Sequence, residues 1–208
     1  MLKDKKLICI IGRTGSGKDT VREYMERKKG LKSVVSYTTR PKRANETDGV
    51  EHHFISKEEF DNIMKIKEIA AYTKIEDPNT GTEGYEYCAT IQGVLASDIY
   101  EIDPIGLEKL KEQLKYENIT IVEVYIHCPE DIRLNRVKIG RGEEEIEKFN
   151  IRNGNEDQQF RSYEIAHADD PRLNRNISDT NFFWIENDSS LKELFCKVDE
   201  TLLKILYL

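Results

Sequence analysis

Gly12-Arg13-Thr14-Gly15-Ser16-Gly17-Lys18-Asp19-Thr20 follows the apolar run Leu7-Ile8-Cys9-Ile10-Ile11 and leads into a segment with Val21, Tyr24 and Met25 at helical spacing. Strand, glycine-rich turn and helix in this order make a phosphate cradle. The glycines let successive backbone N–H groups turn inward, and the start of the helix adds partial positive charge. Lys18 brings a full, mobile charge to the β- and γ-phosphates. A glycine-rich turn without a ligand is the plainer alternative, and the strand-to-helix setting argues against it. The stretch predicts a nucleoside-triphosphate site.

One position departs from the usual pattern. Where a Ser or Thr hydroxyl ordinarily follows the lysine to ligate magnesium, this chain has Asp19, with Thr20 next. Two readings stand side by side. Asp19 holds magnesium through water, making Asp19 and Thr20 the metal candidates, or it simply favours the positive end of the helix.

Composition narrows the field. A chain of 208 residues with 38% hydrophobic and 34% charged side chains suits a well-charged globular protein with a sizeable core. No apolar run reaches the roughly 20 residues of a membrane helix, and the first strand begins too early to leave room for a secretory signal. The net charge of −7 argues against a nucleic-acid polymer as partner. Cys9, Cys88, Cys128 and Cys196 are scattered without a C-x-x-C pair, which fits buried free thiols in a reducing cytoplasm.

Further strands are expected at Val34–Tyr37, Ser97–Ile102, Ile119–Ile126 and Phe182–Ile185, and helices at Lys57–Lys67, Ile105–Leu114, Asp131–Arg136 and Ser190–Leu206. Strands alternating with helices imply an α/β fold with a largely parallel sheet and the phosphate site at its carboxyl edge. Two segments break the rhythm. Residues 33–96 read as a small inserted substrate subdomain, and residues 137–175 as a polar, mobile lid.

The insert begins with Ser36-Tyr37-Thr38-Thr39-Arg40-Pro41-Lys42-Arg43. Two guanidiniums three residues apart, preceded by hydroxyls, suit a second phosphate; alone, such a cluster also reads as a solvated basic turn. Beside a triphosphate loop it completes the inventory of a phosphoryl transferase.

At this point the chain resembles the guanylate kinase family of nucleoside monophosphate kinases, over nearly its full length. The likeness rests on Gly12 through Thr20, on Ser36, Thr38, Thr39, Arg40 and Arg43, and on Asn45-Glu46-Thr47-Asp48-Gly49-Val50-Glu51-His52-His53-Phe54. It continues through Phe60, Tyr87-Cys88-Ala89, Glu101-Ile102-Asp103-Pro104-Ile105-Gly106, Arg141-Gly142-Glu143-Glu144 and Asn187-Asp188. The resemblance implies one domain over 1–208 with a P-loop NTPase three-layer core (1–32, 97–136 and 176–208). It also implies a monophosphate-binding insert (33–96) and a mobile lid with its flanking polar segment (137–175).

It also implies a mechanism. Backbone N–H groups from Arg13 through Lys18 hold ATP, with magnesium bridging the β- and γ-phosphates. Ser36, Arg40, Arg43 and Tyr87 fix the acceptor monophosphate, while Arg141 and Arg152 close over the moving phosphoryl group. Arginines in so charged a segment also read as plain surface residues. Asn187 lies near the donor base. His52 stands where the family has a phosphate-binding tyrosine; it reads as a donor whose charge varies near neutral pH, or as an ordinary exposed residue.

Base selectivity is where the chain departs from the family. The glutamate that reads guanine falls on Ala71, and the hydroxyl after Tyr-Gly falls on Ala89, leaving Glu101 and Asp103 to face the base, with Glu83 or Glu86 as substitutes from the loop Glu76 to Tyr85. The expected function is ATP-dependent phosphoryl transfer to GMP or dGMP in the cytoplasm, on small-molecule nucleotides, with neither membrane nor nucleic acid as partner. A kinase for another monophosphate and a non-catalytic binding module are the alternatives, and the presence of Lys18 weighs against the second. Oligomeric state is left open.

Overall fold

The computed structural model describes residues 5–43, 46–75, 84–167 and 181–208. Asn45 of the acidic motif, the loop residues Glu76 to Glu83 and the stretch 168–180 lie outside the described residues.

β1 (Lys5–Ile11) is apolar on both faces, as a parallel strand covered on both sides must be. It pairs in parallel with β6 (Ile99–Glu101) and β7 (Ile119–His127), and β8 (Phe182–Glu186) joins the outer edge of β7, giving the order β6-β1-β7-β8. Alternation along β1 assigns its side chains to two cores. Ile8 and Ile10 pack with Val21 and Met25 of α1 (Lys18–Lys29) and with Leu194 and Val198 of α7 (Leu191–Leu206). Leu7, Cys9 and Ile11 pack with Leu107 and Leu110 of α4 (Pro104–Leu114) and with Phe160 of α6 (Ile146–His167). Helix, sheet and helix make three layers.

Register places the working edge. Ile10 lies opposite both Glu101 and Val124, so β1 and β6 finish within a residue of each other while β7 runs on to His127. The turn leaving Ile11 therefore opens beside the ends of its neighbours, where α/β sheets hold ligands.

A second sheet occupies the insert, in the order β3-β2-β5-β4. It comprises β2 (Ser36–Thr38), β3 (His52–Phe54), β4 (Ile69–Ile75) and β5 (Tyr85–Thr90). β2 and β3 run parallel, whereas β5 is antiparallel to both β2 and β4. α2 (Lys57–Ile66) begins with a reciprocal cap between Ser56 and Glu59 and buries Phe60 completely. The short α3 (Ile91–Leu95) leads back to the core.

Several expectations shift. The strand expected at Val34–Tyr37 forms at Ser36–Thr38, and Val34 instead reaches the first residue of β6 through its backbone N–H. α5 (Glu130–Arg141) runs past Arg136 to Arg141. The segment read as a solvated lid contains a 22-residue helix, α6, preceded by a 3-10 turn at Glu143–Glu145. Phe149 and Phe160 are its buried aromatics, too sparse to announce a helix by periodicity. Cys9, Cys88 and Cys128 are buried free thiols, but Cys196 is exposed. Among the described residues no helix is long and apolar enough to cross a membrane.

Leu194 is fully buried where α7 meets the sheet. Leu194→Ala should lower unfolding stability by about 2–5 kcal/mol, the usual cost of a core truncation, as read by urea denaturation. A loss within experimental scatter would show that α7 is not part of the cooperative core.

Candidate active site

The turn after β1 is shaped by what its glycines lack. A Cβ on Gly12 would lie 2.6 Å from the Ile126 carbonyl oxygen and 2.7 Å from Ser16 Oγ. Gly17 takes φ 94°, in the left-handed region, and a Cβ there would lie 2.5 Å from Asn187 Nδ2. The turn is thus wedged between β7 and the residue after β8. Asn187 fastens it: its Nδ2 donates to the Ser16 carbonyl at 2.7 Å, and its backbone N–H donates to His127 at 2.8 Å. Arg136 donates to the Asn187 side-chain and backbone oxygens at 3.1 and 3.0 Å. Asn187, expected beside the donor base, has its side chain committed to the loop and to Arg136.

Lys18 Nζ donates to the Arg13 carbonyl at 3.3 Å, and Arg133 donates to the Thr14 carbonyl at 3.1 Å. Ser16 Oγ is buried without a hydrogen-bond partner among the described residues. A donor left in that position suits an anionic ligand.

Acidic side chains of α6 are seated on this loop. Glu156 accepts from the Thr14 N–H at 3.0 Å and from its hydroxyl. Arg13 donates to both oxygens of Glu164, at 2.8 and 2.9 Å, and pairs with Asp157 at 3.1 Å; Tyr125 also donates to Glu164. Arg13 was expected to contribute its backbone, and its side chain proves to be the anchor of α6. The carboxylate of Glu156 holds an N–H that the cradle would otherwise turn toward phosphate.

At the end of β6, Glu101 accepts from Arg22 Nε at 3.0 Å. Burial first, and the hydrogen-bonded Asp19 carboxylate second, push the Glu101 carboxyl up to about 8. Two carboxylates in contact beside a phosphate cradle fit a divalent cation. Glu101, expected to face the base, lies beside Asp19, Lys18 and Arg22. Thr20 lies in the first turn of α1, half-buried.

The second basic cluster is organised around Glu46. Arg40, 7% exposed, donates to both oxygens of Glu46 at 3.0 and 2.7 Å, to Tyr87 Oη at 3.1 Å and to the Pro41 carbonyl at 2.8 Å. Arg43 approaches the same carboxylate at 3.6 Å and keeps more of its surface. The expected pair of open forks is therefore one buried, braced arginine and one exposed arginine. Ser36 Oγ and His52 Nδ1 share a hydrogen bond at 2.8 Å, with the His52 ring edge-on to Phe54 and Tyr87. The reading of His52 as an exposed residue is corrected by this packing. So is the expectation that its charge varies near neutral pH: burial, then Arg40, depress its pKa to about 4.

These groups meet in one cleft of about 1120 Å³. Gly12, Thr14 and Lys18 line it, as do Ser36, Arg43, His52 and Tyr87, together with Glu101, Asp103 and Arg152. Asp103 caps α4 by accepting from Gly106 N–H at 2.9 Å and also accepts from Gln159 Nε2 at 2.7 Å. Arg141 ends α5, and its side chain lies outside the described residues. Sequence reasoning missed Arg133, Arg136, Glu156 and Glu164. The first two stand three apart on a helix, a spacing that puts them on one face and was legible; the acids lie more than a hundred residues from their partners in the loop and were not.

A family model described as guanylate kinase matches residues 4–178. The guanylate kinase of Symbiobacterium thermophilum is 35% identical over 143 residues, 68% of this chain and 65% of that protein, so the chain spans just under two thirds of this relative. That of Clostridioides difficile is 32% identical over 154 residues, 71% of each chain. That of Lactiplantibacillus plantarum is 29% identical over 175 residues, 82% of each. A crystal structure of guanylate kinase from Anaplasma phagocytophilum matches the fold with a TM-score of 0.58 at 18% identity, over 98% of this chain and 88% of the other.

Two outcomes follow from the geometry. Glu156→Ala should tighten binding of a non-hydrolysable triphosphate about tenfold, the worth of one charge-assisted hydrogen bond, as measured by calorimetry. Weaker binding would make Glu156 a helper of the loop instead of its competitor. His52 stays neutral in the folded chain above about pH 4, whereas its unfolded value is 6.5. Only the unfolded chain takes up that proton between these values, so stability falls as pH drops through the window. From pH 6 to 8 a His52→Gln variant should show the wild-type pH dependence of acceptor KM; a divergence would restore a titrating histidine.

Proposed function

The chain belongs to the guanylate kinase family, and from that membership and the geometry of the cleft we propose that it is a nucleoside monophosphate kinase. It passes the γ-phosphoryl group of ATP to GMP or dGMP. The observation that carries the reading is a single cleft with Lys18 and the glycine turn on one side and Ser36, Arg43, His52 and Tyr87 on the other. Two anion sites facing one another suit in-line transfer, where alignment and charge neutralisation matter more than covalent chemistry.

In this reading the backbone N–H groups from Arg13 to Lys18 and the Lys18 ammonium hold the donor phosphates, displacing Glu156 from Thr14. Arg43, Tyr87, Ser36 and neutral His52 hold the acceptor phosphate, with Arg40 keeping Tyr87 and Glu46 in place. Asp19 and Glu101 would hold magnesium, with Thr20 beside them, and the ion would supply charge neutralisation between the β- and γ-phosphates. Arg152, on the cleft-lining part of α6, neutralises charge on the transferring group, and Arg141 joins it as α6 closes over the cleft and excludes water. The attacking group is already an anionic phosphate oxygen, so no side chain need act as base. Buried Cys9, Cys88 and Cys128 support a cytoplasmic setting.

A coupled assay across the common monophosphates tests the assignment, and GMP among the poorest acceptors would reject it. Lys18→Ala should lower kcat by about 10²–10³-fold or more, the scale for removing a transition-state charge partner. Binding of GMP, measured separately, should change little. Undiminished turnover would remove Lys18 from the mechanism.

A further inference from the structure

Arg13 joins the phosphate loop to α6. Its carbonyl accepts from the Ser16 N–H at 3.0 Å and from Lys18 Nζ at 3.3 Å, so the lysine rests on this residue. Its guanidinium goes the other way. Glu164 takes Nε and Nη2, Asp157 takes Nη1, and the ring of Phe160 lies 5.5 Å from the guanidinium carbon. Each nitrogen of the fork and one of its faces is met by α6, so this guanidinium is committed to the helix and not to a ligand.

A second link runs beside the first. Arg133 donates to the Thr14 carbonyl at 3.1 Å and to Asn153 Oδ1 at 2.9 Å, and Asn153 directly follows Arg152. Phe149 and Phe160 are the buried aromatics of α6, which leaves much of its placement to these polar ties. Arg152 lines the cleft five residues before Asp157, a rise of about 7.5 Å along a helix. What holds Asp157 and Glu164 therefore also places Arg152.

We propose that the Arg13 side chain is a positioning residue: gripped by α6 at one end and bearing Lys18 at the other, it sets Arg152 relative to the phosphates that Lys18 holds. The inference rests on the kinase reading, in which both cations face the transferring group. It adds to that reading a side chain that touches neither substrate. In-line transfer makes such a residue matter, because a misplacement of about 1 Å can cost about 100-fold in rate.

The test is a double-mutant cycle on kcat with Arg13→Ala, Arg152→Ala and the pair. Amide exchange of α6 and calorimetric binding of a non-hydrolysable ATP analogue accompany it. Arg13→Ala should lower kcat by about 10–100-fold without weakening the analogue. In the Arg152→Ala background the same change should cost less than about threefold, because the group it positions is gone. In the nucleotide-free protein, amides of Ile146–His167 should exchange about tenfold faster in Arg13→Ala, while those of α7 keep their wild-type rates. Glu164→Gln cuts the same tie from the helix side and should show the same non-additivity with Arg152→Ala, which keeps the test decisive if Arg13→Ala fails to fold.

An equal loss of kcat in both backgrounds would overturn the proposal, since Arg13 would then act independently of Arg152. Weaker binding of the analogue would also overturn it, making the Arg13 side chain a ligand of the donor. Unchanged exchange of α6 with turnover otherwise normal would reject this proposal alone. If the analogue binds and no acceptor is phosphorylated, the kinase reading falls, and the role of Arg152 with it.

Discussion

The whole site is measured from a turn that fits only because it has no side chains at two points. Gly12 lies against the carbonyl of Ile126, and Gly17 against the amide of Asn187. These approaches fix the loop between β7 and the end of β8 more tightly than hydrogen bonds alone would. Asn187 and Arg133 then bind its carbonyls, while Glu156 holds the Thr14 N–H and the Arg13 carbonyl holds that of Ser16. Lys18, Asp19 and the start of α1 take their positions from that frame. A phosphate cradle of this kind works by pre-arranged dipoles, and pre-arrangement here is a packing constraint.

Around the frame, carboxylates sit on the basic side chains and on one loop N–H. Glu46 holds Arg40 and approaches Arg43; Glu156 holds Thr14; Glu164 and Asp157 hold Arg13. The reason is electrostatic. A buried guanidinium without a partner is costly, and an internal acid supplies the partner. The two ends of the cleft differ in how this is done. At the acceptor end Glu46 lies within six residues of Arg40, a local brace that stays with the insert. At the donor end the acids come from α6, which the proposed lid motion would carry away.

The core was legible because periodicity carried it. β1, β7 and β8 were readable as apolar runs, α7 as a helical stripe, and the phosphate loop as glycine spacing. The insert was harder: β3 is three residues long, and β4 contains Ala70-Ala71, which has little strand character. α6 escaped for a different reason. It is held by ion pairs and two aromatics instead of an apolar stripe, and its partners Arg13 and Thr14 are far away in the chain. The state of His52 was equally beyond local reading, since it depends on Phe54, Tyr87 and Arg40 packing around the ring. The bond from Asn187 to the Ser16 carbonyl was likewise beyond local reading. A lone residue after a strand does not reveal that its amide will meet a glycine turn 170 positions earlier.

The contrast between Gly12 and Ala71 has an evolutionary side. At Gly12 every replacement collides with main chain, so that position has no neighbouring variants to explore. Ala71, by contrast, lines the cleft from within a core of side chains. Drift is therefore channelled away from the turn, where one added carbon would meet a carbonyl that cannot move without β7.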